Sequence, residues 1–147
     1  MTKEDLINLI SNILIPVGFK RKGKNWVINH QELTKIVNLQ QSNFGNSFYI
    51  NFGFIIKKLK LNEGIDVYHR LRQSKSSTSN SVTDLLNLDF EISDAARSEE
   101  LSILIDTQIV NFFNKINCED DLKMELESRE FRNDILLAVK HYFKLAD

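Results

Sequence analysis

Apolar and polar residues alternate along Phe48-Tyr49-Ile50-Asn51-Phe52-Gly53-Phe54. Phe48, Ile50, Phe52, Phe54 and Ile56 recur at every second position, the period at which strand side chains share a face. Tyr49, Asn51 and Gly53 fall between them, which predicts a strand with one buried face and one polar face, Gly53 leaving a gap in the latter. A second strand is predicted over Leu33 to Ser42, with Val37, Leu39 and Gln41 on one side and Asn38, Gln40 and Ser42 on the other. Asn43-Phe44-Gly45-Asn46 supplies the residues of a tight hairpin between the two. Whatever the loop length, parity sets Val37 and Leu39 with Phe52 and Ile50, and Asn38 and Gln40 with Tyr49 and Asn51. A slip of one residue would expose the whole phenylalanine row, so the register is well specified. Burying the five apolar side chains contributes on the order of 10 kcal/mol gross, before chain entropy is subtracted.

The flanking segments change period. Leu6, Ile10, Ile13, Leu14 and Val17 follow helical spacing after a Thr2-x-x-Asp5 capping box, and Pro16 and Gly18 predict the helix end. Lys20-Arg21-Lys22-Gly23-Lys24 reads as a basic turn before a strand over Asn25 to Asn29. After a loop from Lys57 to Gly64, a strand over Ile65 to Arg72 is predicted. There Ile65, Val67, His69 and Leu71 alternate with Asp66, Tyr68, Arg70 and Arg72. The serine-rich stretch Gln73 to Asn80 predicts a mobile surface loop, and Leu85 to Ile92 a final strand. Beyond it the pattern is helical. Leu101, Leu104, Ile105, Ile109, Phe112, Phe113 and Ile116 form one stripe, with Ser98 or Asp94 as cap. Asn117 caps an acidic helix over Glu119 to Glu127, and a last helix from about Glu130 to Lys144 buries Phe131, Ile135, Ala138, Val139 and Tyr142. The expected fold is α+β: an antiparallel sheet of three to five strands, with an N-terminal helix and a C-terminal helical group packed on one face. No repeat or boundary divides it, so residues 1–147 read as one domain.

Composition narrows the function classes. Nineteen basic and twenty acidic residues give a net charge of -1, which provides no whole-molecule field for nucleic acid or an anionic membrane. The lone Cys118 suits a reducing compartment. Glu4 and Asp5 stand where a secretory leader would carry cations, and no apolar run is long enough to span a bilayer. These features point to a cytoplasmic, unanchored protein.

Gly18-Phe19-Lys20-Arg21-Lys22-Gly23 with Trp26, Val37-Asn38-Leu39-Gln40-Gln41-Ser42, and Phe48 to Gly53 together resemble a bacterial domain of unknown function, family number 4304. Most of the chain follows that family in order, most sharply from Gly18 to Gly53. Tyr68-His69-Arg70-Leu71-Arg72 falls where the family carries a strand containing histidine and arginine. The resemblance implies a single mixed helix-and-sheet domain. It brings no activity, cofactor or catalytic residue.

The candidate chemistry lies on the polar sheet face. Asn38, Gln40, Tyr49 and Asn51 share one side of the hairpin, and the strand from Ile65 would add Tyr68, Arg70 and Arg72. Amides, phenols and guanidinium groups suit an anionic or peptide ligand, because arginine pairs with carboxylate and phosphate through two hydrogen bonds. The chain would then be a small-ligand binder or a module that captures a protein partner, as an immunity-like partner of a bacterial toxin does. A solvated polar face is also the ordinary state of an antiparallel sheet. A second reading is a hydrolase or transferase acting on an anionic substrate, with His69 as acid/base and Arg70 or Arg72 holding charge. A third is nucleic-acid binding through Lys20, Arg21, Lys22 and Lys24, with Trp26 as stacking surface and Lys57, Lys58 and Lys60 extending it, which the charge balance disfavours. His30, His69, His141 and Cys118 lack metal-ligand spacing, Glu119, Asp120, Asp121 and Glu125 look like acids at a helix start, and no phosphate loop or nucleophile motif is present. No metal, cofactor or catalytic residue is expected, and a binding module fits better than an enzyme.

Overall fold

The computed structural model describes residues 1–61, 64–73 and 78–145. At its start, Thr2 closes the expected capping box: its hydroxyl accepts the Asp5 N–H at 3.1 Å, and its own N–H donates to the Asp5 carboxylate at 2.9 Å. Helix α1 (Lys3–Leu14) buries Leu6, Ile7, Ile10 and Leu14. A 3-10 turn through Pro16 then ends at Gly18, whose φ of 108° suits a residue without a side chain.

Five antiparallel strands follow in spatial order β1 to β5: β1 (Lys20–Lys22), β2 (Asn25–Asn29), β3 (Leu33–Gln41), β4 (Phe48–Ile56) and β5 (Val67–Arg70). The hairpin register is the predicted one, with Val37 opposite Phe52, Leu39 opposite Ile50, Asn38 opposite Asn51 and Gln40 opposite Tyr49. Phe48, Ile50, Phe52, Phe54 and Ile56 are all buried. The basic stretch is partly strand rather than turn: Lys20, Arg21 and Lys22 pair with Val27, Trp26 and Asn25, and Gly23 makes the turn. Trp26 is 0% exposed and gives its indole N–H to the Ser11 hydroxyl at 3.0 Å. It therefore offers no stacking surface to a nucleic acid.

β5 is shorter than Ile65 to Arg72. At its start the Asp66 carboxylate turns inward and accepts the Ile56 N–H at 2.8 Å, so Asp66 is buried rather than on the polar face. Gly53 does not leave a gap either. A Cβ there would sit 1.8 Å from the Val67 carbonyl oxygen, so glycine is what lets β5 lie against β4.

The helices cover one face of the sheet. Leu85 to Ile92 forms no strand; Val82–Leu85 is a short helix, α2, and the carbonyls of Asp84, Leu85, Asn87 and Phe90 converge on the guanidinium of buried Arg97. Helix α3 (Asp94–Ile105) is capped by Ser93, ahead of both predicted residues, because the Ser93 hydroxyl accepts the Ala96 N–H at 3.1 Å. A π-helical segment (Asp106–Val110) joins it to α4 (Asn111–Asn114). Phe113 packs edge-on to Phe52 and Phe54 at centroid distances of 6.0 and 5.2 Å. Helix α5 (Glu119–Glu127) has the predicted span but starts from Cys118; the Asn117 side chain instead accepts from buried Lys35. Helix α6 (Leu137–Phe143) begins later than predicted. Ile135, Val139 and Phe143 are buried while Phe131 is 74% exposed. Residues 74–77 of the serine-rich stretch lie outside the described residues.

Candidate functional site

The sheet's other face carries a row of asparagines. Asn25 pairs with Asn38, Asn38 with Asn51, and Asn51 with Arg70, so one polar line crosses four strands. Its hydrogen bonds run in one direction. Arg70 Nε donates to Asn51 Oδ1 at 3.0 Å, Asn51 Nδ2 to Asn38 Oδ1 at 3.2 Å, and Asn38 Nδ2 to Asn25 Oδ1 at 2.8 Å. Each amide thus turns its oxygen towards the guanidinium, and such chains polarise cooperatively.

Tyr49, Tyr68 and Gln40 complete the cluster. The Tyr68 hydroxyl donates to Asn51 Oδ1 at 2.6 Å and accepts from Arg70 Nε at 3.1 Å. Gln40 Oε1 accepts from Asn51 Nδ2 at 2.9 Å and from Arg70 Nη2 at 3.3 Å. Arg70 lies over the Tyr49 ring, 4.2 Å from its centroid, a cation–π contact. Six of the seven sequence-predicted residues are therefore one unit. Asn51 is its buried hub, only 5% exposed, so it holds Arg70 rather than meeting a ligand directly.

Arg72 stands apart. Its backbone is held by the Gln108 side chain, which accepts the Arg72 N–H at 3.0 Å and donates to its carbonyl at 2.6 Å. Arg70 and Arg72 both border two clefts. One, of about 520 Å³, is lined by Phe52, Tyr68, His69, Thr107, Gln108 and Asp134 besides the two arginines. The other, of about 510 Å³, has Tyr49, Phe48, Leu71, Val82, Thr83 and Leu86 in its wall. Asn25 and Gln108 are the members that sequence reasoning misses. Asn25 could be found only from the register of β2 on β3, and Gln108 had no signal in the helical pattern.

His69 faces the core side, as predicted, stacked on Phe52 at 5.4 Å and edge-on to Phe112 at 4.9 Å. Burial, and then the charge of Arg129, lowers its pKa from 6.5 to about 4. Its Nε2 lies 2.9 Å from Arg129 Nη2, which places the donated hydrogen on arginine and the ring proton on Nδ1. A ring that weakly basic, with one nitrogen occupied, is poorly matched to acid/base work near neutral pH. It does have a consequence for stability. Between pH 4 and 6.5 the unfolded chain binds the proton that folded His69 refuses, so stability rises with pH across that window and is level above it. We expect His69→Gln to remove up to about 3 kcal/mol of that rise, read as the difference from the unaltered chain in denaturant midpoints across the window. An identical pH dependence in both chains would contradict a neutral ring packed between Phe52 and Phe112.

Among the described residues, no three histidine, cysteine or acidic side chains converge as a metal site, and no helix is long and apolar enough to cross a membrane. The family model described as Domain of unknown function (DUF4304) matches residues 10–115. The chain belongs to this family. The DUF4304 span includes all five strands, every residue of the asparagine row, Arg70, Arg72 and Gln108, while Arg129 and Asp134 lie beyond it. No curated protein and no solved structure matches the chain.

Proposed function

We propose that this protein is a small cytoplasmic binding module that captures an anionic group at Arg70 and Arg72. The state of Arg70 carries the reading. Its guanidinium is stacked on Tyr49 and anchored by the neutral oxygens of Asn51, Gln40 and Tyr68. Among the described residues neither Arg70 nor Arg72 pairs with a carboxylate. A cation fixed in place by neutral acceptors keeps its charge for a ligand, and little side-chain entropy remains to be lost on binding. The lone thiol of Cys118, half-buried and unpaired, supports a reducing location.

Calorimetric titration with citrate, a multivalent carboxylate, tests the reading. The unaltered chain is expected to bind it, more weakly as salt rises, and Arg70→Met to weaken binding at least about tenfold, the loss of one charge-assisted pair. Equal affinity in folded Arg70→Met would refute the site.

A further inference from the structure

The outer edge of β5 points to the kind of partner. Resting on the anion-binding reading above, we propose that β5 takes up an extended acidic segment of another protein as a sixth strand, with Arg70 and Arg72 facing its carboxylates. The Leu71 N–H donates inward to Ile50 O at 2.8 Å. Backbone groups alternate in direction along an antiparallel strand, so those of Tyr68, Arg70 and Arg72 point away from β4. At Arg72 the outward position already has an occupant: the Gln108 amide supplies one acceptor and one donor, the pair that a neighbouring strand would offer. Tyr68 and Arg70, the next outward positions, have no backbone partner among the described residues.

An unpaired edge is a template for another strand. The opposite edge, β1, is short and carries exposed Lys20, Arg21 and Lys22, a usual protection against such pairing. The β5 edge instead opens on the cleft of about 520 Å³ that contains Tyr68, Arg70 and Arg72. Gln108 reaches that edge from the π-helical segment, a local widening of the helix that recurs at functional sites. It holds the place that the partner's backbone takes.

Charge selects the occupant. Arg70 and Arg72 are two residues apart and project to one side of the strand. Acids at every second position of an added strand would share the face that carries both, with the Arg70 guanidinium leaning inward over Tyr49 towards β3. A second copy of this chain would bring its own Arg70 and Arg72 to the same edge, and like charges facing one another are destabilising.

The test uses the full chain and a short capped peptide alternating glutamate and valine. Its controls are the lysine–valine counterpart and the glutamate peptide N-methylated at alternate amides, which keeps the charge and removes the donors of one edge. The glutamate peptide is expected to bind and to slow hydrogen exchange at the Tyr68 and Arg70 amides, and both controls to lose binding. Gln108→Ala is expected to tighten peptide binding up to about tenfold, because its hydrogen bonds to Arg72 no longer compete. Equal binding of the N-methylated peptide, or retained citrate binding without glutamate-peptide binding, would overturn strand addition and leave anion capture standing. Loss of both citrate and peptide binding overturns the two together. Protection of the edge amides that grows with protein concentration alone would assign the edge to self-association instead.

Discussion

Gly53→Ala is expected to destabilise the fold by about 3 kcal/mol or more and to release β5 from the sheet. The added Cβ would lie 1.8 Å from the Val67 carbonyl oxygen, 2.9 Å from its carbonyl carbon and 2.7 Å from Ile65 Cγ2. Two of these three obstacles are backbone atoms of the paired strand, which cannot turn aside as a flexible side chain can. The clash falls inside the ladder that pairs Asn51 with Arg70, Phe52 with His69, Gly53 with Tyr68 and Phe54 with Val67. Forcing it apart unstacks His69 from Phe52 and takes Tyr68 and Arg70 away from Asn51. Denaturant midpoint and amide exchange read the two effects separately. The Leu71 amide, which donates to Ile50, should lose its protection, and citrate affinity should fall with it. A variant within about 0.5 kcal/mol of the parent, the usual range for an inconsequential surface change, would show that β5 does not depend on the missing side chain.

Arg97→Met should destabilise by roughly 4 kcal/mol, although the two side chains fill similar space. Arg97 is 2% exposed, and burial pushes its pKa down. Its Nη1 donates to the carbonyls of Asp84, Leu85 and Asn87, and its Nη2 donates to Phe90 at 2.7 Å. Asp84 O and Asn87 O also accept the Asn87 and Phe90 N–H groups, at 3.2 and 3.0 Å, so among the described residues it is the Leu85 and Phe90 carbonyls that depend on the guanidinium. A thioether offers them nothing, and buried acceptors left without donors are costly. The damage should reach the ligand surface too, since Val82, Thr83 and Leu86 wall the second cleft beside Arg70. Thermal unfolding of the methionine variant, with Arg97→Lys as a partial rescue, measures this. Indifference to methionine would mean that other contacts hold the segment.

What the sequence reveals follows from what periodicity encodes. Alternation determines which face a strand residue takes, so the pairing of Asn38 with Asn51 and the inward side of His69 are both legible before any coordinates. Parity is silent about where a ladder stops. Buried Asp66 turns inward to cap the Ile56 N–H, and Arg72 leaves β5 for Gln108; neither departure has a signal in hydropathy. Lys35 breaks the apolar rule on β3 for a tertiary reason. Its ammonium donates to the Phe113 carbonyl at 2.7 Å, at the C-terminal end of α4 where a cation is favourable. The predicted strand over Leu85 to Ile92 shrinks to a single bridge, Asn87 opposite Ser47 with the Phe48 N–H donating to Leu86 O, because Val82–Leu85 turns as helix α2 and the carbonyls that follow converge on Arg97. Within the candidate site, residue types and their common face are readable. The division into a supporting row and exposed cations is not, since it depends on how deeply Tyr68 and Arg70 cover Asn51.

Nitrogen-15 spectroscopy of the Arg70 side chain is the most direct test of a guanidinium anchored by neutral amides and reserved for an anion. In the free protein its Nε–H should exchange slowly with water and lose that protection in Asn51→Leu. With added citrate the same resonance should shift progressively and saturate, while Arg21, on the far edge of the sheet, stays unmoved. A freely exchanging Arg70 Nε–H in the free protein, or a citrate response no larger at Arg70 than at Arg21, would contradict the site.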